Sequence, residues 1–82
     1  MMITKTTNSS WSILVANSYV AFQVVGSIPV EIGLGTNVAA PAVGFIYYPG
    51  NGDRGLLTEL FPTSLGNTVW GKSSSSSAVM IG

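Results

Sequence analysis

The stretch SIPVEIGLG, Ser27 to Gly35, alternates so regularly that it leaves its backbone little choice. Ile28, Val30, Ile32 and Leu34 fall on one side of an extended chain, and Pro29, Glu31 and Gly33 on the other. A period of two marks a strand with one buried face, because successive strand side chains point to opposite sides. Pro29 predicts an edge position or a bulge, since proline cannot donate to a hydrogen-bond ladder.

Short β-branched and aromatic runs cut by Gly, Pro, Asn and Ser continue this rhythm along the chain. Trp11 to Ala16 and Tyr19 to Val25, divided at Asn17-Ser18, are almost continuously apolar, which predicts strands covered on both faces. Val43 to Tyr48 reads as a strand stopped by Pro49-Gly50 and followed by a tight polar loop through GNGDRG, Gly50 to Gly55. LLTELFPTSLG, Leu56 to Gly66, reads as a helix, a short strand or an apolar loop. Leu56, Leu57 and Leu60 have helical spacing, and Pro62 limits a helix to one or two turns.

Thr68 to Lys72 and Ala78 to Ile81 read as two further strands, with Ser73 to Ser77 between them as strand ends plus the turn of a hairpin. The serines lead into AVMI, which gains from burial, so the end of the chain is expected to close a sheet. Ile3 to Thr6 supplies a first strand, or residues 1–10 form an arm. The sum is about seven to eight short strands at about 8–12 residue spacing. The expected architecture is one all-β domain over 1–82, a jelly-roll-like sandwich or small barrel with a C-terminal hairpin.

A chain of 82 residues buries a thin core. At that size only about 60–65% of the unfolded surface is removed from water, and disulfides, metals or partner subunits usually supplement it. The chain has no cysteine and no histidine, which leaves partner subunits. Lys5, Arg54 and Lys72 balance Glu31, Asp53 and Glu59, and charged residues make up 7% of the chain. Against an ordinary share of about 25%, so few charges favour association. They also argue against nucleic acid, which needs a basic patch. The longest apolar segment, ILVANSYVAFQVVGSIPVEIGL, is interrupted by Asn17, Ser18, Gln23, Pro29 and Glu31, so no membrane helix is expected. MMITKTTNSS lacks the apolar core of a secretory signal.

Candidate chemistry is sparse. GNGDRG matches G-x-G-x-x-G, but a dinucleotide site requires a helix after it, and LLTELFP is too short. Asp53 and Glu59 could pair, yet no side chain titrates ordinarily near neutrality, and so small a domain rarely forms a deep cleft. Asn51 and Asp53 are too few oxygen ligands for calcium, and Ser73 to Ser77 lack a base. Asn8-Ser9-Ser10 fits a glycosylation acceptor, which without a secretory signal carries no weight. No catalytic residue, metal or cofactor is expected. The aromatics are the interaction candidates: Trp11, Tyr47, Tyr48 and Trp70, with Arg54 in the adjoining loop. Core packing is the expectation for Trp11 and Trp70, while adjacent Tyr47 and Tyr48 should face opposite ways.

TVWGKSSSSSAVMIG, following VEIGLG and a Pro/Gly-rich middle, resembles the last strands of small β-rich structural proteins of tailed bacteriophages. The likeness covers residues 67–82, with only strand rhythm elsewhere, and carries over no functional residue. It implies a non-enzymatic virion component, such as a capsid decoration or cement protein on the head surface or a head or tail accessory piece. Its partners would be further copies of itself, a trimer by preference, and the major capsid or another virion protein. The alternative is a lectin-like or receptor-binding module of a tail or head fibre, using Tyr47, Tyr48 and the GNGDRG segment.

Overall fold

A computed structural model describes residues 2–62 and 66–82. Its eight strands are β1 (Ile3–Thr7), β2 (Ser12–Val15), β3 (Tyr19–Val24), β4 (Val30–Gly35), β5 (Phe45–Tyr47), β6 (Gly52–Leu56), β7 (Thr68–Ser73) and β8 (Ser77–Ile81). A single helical turn, α1 (Leu57–Leu60), follows β6. The strands form two antiparallel four-stranded sheets, ordered β1-β8-β3-β6 and β2-β7-β4-β5. Strand β1 pairs with β8, β2 with β7, β3 with β6 and β4 with β5. The chain thus behaves as one long hairpin bent between β4 and β5, its paired arms laid alternately into the two sheets. That is the jelly-roll arrangement, an open sandwich and not a closed barrel.

Alternation builds the core. Val20, Phe22, Val24, Val79 and Ile81 point inward from the first sheet, and Leu14, Val30, Ile32, Leu34 and Val69 from the second. Leu57 and Phe61 close one end. The turn α1 starts where the Leu57 amide donates to the Ser18 carbonyl, and Phe61 bonds back to Leu57. Pro62 stands where another turn would need a donor. Of the segment first read as helix, strand or loop, residues 63–65 lie outside the described residues.

Four expectations are corrected. Strands β2 and β3 have one covered face, because only two layers exist: Tyr19 and Gln23 are exposed between buried Val20, Phe22 and Val24. Strand β4 is interior, between β7 and β5, and Pro29 meets its restriction by standing just before the strand. The GNGDRG segment is mostly strand. The turn is Tyr48-Pro49-Gly50-Asn51, closed by the Asn51 amide on the Tyr48 carbonyl at 2.9 Å, with Gly50 at φ +88°. Proline then glycine with positive φ is a type II turn, which is complete before Gly52. From Gly52 the chain pairs with β3, whose backbone supplies the partners that composition could not foretell.

The fourth correction concerns the serines. β7 and β8 exist as expected, but they lie in different sheets and pair with β2/β4 and β1/β3. The serine run is an arch between layers, not a hairpin turn. Its ends are anchored inside: Ser73 and Ser77 are buried, and Ser74 to Ser76 are exposed. Ser77 Oγ donates to the Ile28 carbonyl at 2.7 Å. Ser73 Oγ lies 2.6 Å from the Ser75 carbonyl and 2.8 Å from Thr7 Oγ1. The single Ser73 hydroxyl proton is taken by the carbonyl, so the Thr7 hydroxyl donates to Ser73, tying β1 of one sheet to β7 of the other.

Candidate interaction faces

Inward residues make the core, so the alternate residues make two outer faces. On the second sheet the outer face begins at Trp70, whose Nε1–H donates to the Thr36 carbonyl at 2.9 Å. Ile13 lies opposite it on β2 and is exposed. Further along β7, Lys72 Nζ stands 4.7 Å above the Trp11 ring and 3.9 Å from Glu31 Oε1 on β4. Trp11 and Trp70 are therefore half-buried on the outside, correcting the core expectation: the interior is filled by Val, Ile, Leu and Phe, which bring no N–H to satisfy. A surface cation–π contact contributes about 0.5–1 kcal/mol and an exposed ion pair no more than about 1, so this cluster fixes orientation more than stability.

The segment from Thr36 to Gly44 folds back over this face. A side chain at Gly33 would place its Cβ 2.6 Å from the Val43 carbonyl oxygen and 2.8 Å from Pro41 Cβ, so glycine is what lets the loop approach. Beside the loop, Ser9, Pro29, Glu31, Ile46, Lys72 and Ser74 border a groove of about 380 Å³.

The outer face of the first sheet carries Arg54. Together with Met2, Ala21, Gln23, Met80 and Gly82 it borders a depression of about 460 Å³. Ala21 and the glycines keep its floor low, and Gln23 Nε2 is held by the Gly50 carbonyl at 3.0 Å. Among the described residues Arg54 has no ion-pair partner. The neighbouring Asp53 carboxylate accepts the Arg54 amide at 3.0 Å and the Tyr47 hydroxyl at 3.4 Å.

Tyr47 and Tyr48 do face opposite ways. The Tyr47 ring packs edge-on against Phe22 at 4.9 Å, bridging the sheets, while Tyr48 is exposed. Burial pushes the Tyr47 phenol above its ordinary value of 10.0, and the Asp53 charge and hydrogen bond push the same way. Tyr47 is thus a structural contact, and Tyr48 is free to meet a partner.

The five candidates do not converge: Trp11 and Trp70 sit on one outer face, Arg54 on the other, Tyr47 between the sheets and Tyr48 past the end of β5. Missed altogether were Phe45 and Ile46. They belong to the edge strand β5 and are exposed with Val43 and Tyr48 around them. Their signal was present, an apolar run between Pro41 and Pro49, but only the sheet order shows that it ends a sheet. Compared with protein-family models, curated proteins and solved structures, the chain matches none. The faces themselves carry the functional reading.

Proposed function

We propose that this chain is a non-enzymatic structural module that self-associates and binds a repeating protein lattice, as a capsid decoration or cement protein of a virion does. The observation that carries the reading is its surface. Among the described residues eleven large apolar side chains are exposed, from Met2 and Ile3 through Tyr19, Val38 and Ile46 to Leu56, against six charged residues in the whole chain. So much exposed apolar surface with so few charges favours association with other protein. Jelly rolls serve in viral capsid domains and in lectins, so the fold supports both this reading and its alternative, and the surface tips the balance.

The test is sedimentation of the natural source material. Many copies per particle travelling with large assemblies is the expected result; recovery only as a small soluble species overturns the lattice reading. A receptor-binding role has one observation in its favour, the depression in which Arg54 and Gln23 flank the apolar Met2 and Met80. A glycan array on which the wild-type chain binds and Arg54→Ala does not would shift the assignment there.

A further inference from the structure

We propose that strand β5 pairs with β5 of a second copy of this chain, antiparallel about a two-fold axis through Ile46, joining two β2-β7-β4-β5 sheets into one. The inference rests on the self-association proposed above and names the contact that carries it.

Four strands end the two sheets, and three of them are guarded. The β1 edge carries Lys5 among threonines, the β2 edge loses register between Ile13 and Val15, and the β6 edge carries Asp53 and Arg54. Charges and irregularities are how edge strands are kept from pairing with strangers. Strand β5 has neither, and among the described residues its only strand neighbour is β4. No charged residue lies between Val43 and Gly50, and Glu31, which faces Ile46 and Gly44 from β4, has Lys72 beside it as a counter-charge.

The sequence of the edge selects a copy of itself as the occupant. Antiparallel pairing centred on Ile46 sets Ile46 against the partner's Ile46 and Phe45 against the partner's Tyr47. Gly44 then lies opposite the partner's Tyr48, whose ring would lie against the Glu31 side chain that covers Gly44 from β4. Aromatic pairs and an aromatic covering an edge glycine are favourable cross-strand combinations. Opposed residues in an antiparallel pair share a face, so the two cores stay on one side of the joined sheet. The contact is isologous and closes with two copies, which makes the unit a dimer and not the trimer that the phage likeness implies.

Its size sets its strength. Val43, Phe45, Ile46 and Tyr48 are 61%, 49%, 54% and 60% exposed. Taking about 150–250 Å² for a whole aromatic side chain, these four offer roughly 400 Å² per copy. That is about half of the ~800 Å² per partner of a standard interface, so the dimer is weak and concentration-dependent.

The chain has no cysteine, so Ile46→Cys introduces its only thiol. Under mild oxidation this variant should become mostly covalent dimer, while Val38→Cys, more exposed than Ile46 but outside β5, stays monomeric. Equal cross-linking of the two overturns the proposal. In sedimentation equilibrium Ile46→Lys should weaken the dimer by about tenfold or more, and mixing it with Ile46→Glu should restore association. A wild-type chain that is monomeric up to its solubility limit defeats self-association itself. A wild-type oligomer that is trimeric, or is unchanged by Ile46→Lys, defeats only the β5 contact.

Discussion

At Tyr47 a ring that bridges the sheets also carries a proton that the fold holds tightly. Burial first, then the charge and hydrogen bond of Asp53, raise this phenol above its ordinary value of 10.0. The folded state binds the proton more strongly than the unfolded chain does. The associated stability is therefore fully present below the unfolded value, and is lost as pH rises through the folded one. Tyr47→Phe, which keeps the ring against Phe22, should match the wild type in neutral thermal melts and lose less stability under alkali; parallel curves across the alkaline range would contradict this. The Thr7–Ser73 bond makes a second residue-scale prediction. Both hydroxyls are buried, and Ser73→Ala leaves the Thr7 donor without its acceptor, at a cost of about 1–3 kcal/mol in denaturant midpoints. Adding Thr7→Val should cost less than the sum of the two changes taken separately, because it removes the stranded group. Simple additivity would show that the two hydroxyls do not act as a pair.

Among the elements, legibility followed locality. Strand β4 could be read from alternation, because a period of two is written in adjacent residues, and β3, β7 and β8 from short apolar, β-branched and aromatic runs. The stop at Pro49-Gly50 was likewise a near-neighbour effect, whereas the short helix ahead of Pro62 was one of three readings that its segment allowed. Sheet membership could not be read, since the serine arch and a serine hairpin need the same polar, flexible residues and differ only in which distant strand each flank meets. The same limit hid the Lys72–Glu31–Trp11 cluster, whose members are brought together by the β4–β7 and β2–β7 registers. Strand β6 was missed because Gly, Asp and Arg have no preference for strands, and the pairing came entirely from β3. The loop over Gly33 offers a prediction of this order. Gly33→Ala puts a Cβ against the Val43 carbonyl oxygen and Pro41 Cβ, both in a segment clasped at its start by the Thr36–Ala39 turn. The loop must lift or the strand shift. A loss of about 1–3 kcal/mol is expected, together with faster amide exchange in residues 36–44. Unchanged stability and exchange would mean that the loop does not rest on β4.

For the whole molecule, the roll joins its ends: β1 pairs with β8 from Ile3 opposite Ile81 to Thr7 opposite Ser77. Of the β1 side chains only Thr7 is buried, so the strand adds little to the core. What it adds is a ladder that covers β8, whose other side is already paired with β3, and the Thr7 link to the opposite sheet. At a net of about 0.5–1.5 kcal/mol per hydrogen bond, losing that ladder should cost about 2–5 kcal/mol. A chain this small has roughly 4–12 kcal/mol of stability in all. Deleting residues 1–8 should therefore lower the thermal midpoint sharply and make the chain prone to aggregate, because β8 would become an open edge of Val, Met and Ile. This outcome separates a strand that belongs to the domain from an arm that serves only a neighbour. If the shortened chain melts where the full one does and stays soluble, β1 contributes nothing to the isolated fold, and its value lies in an assembly. If it melts far lower, the sandwich needs all eight strands before any partner arrives.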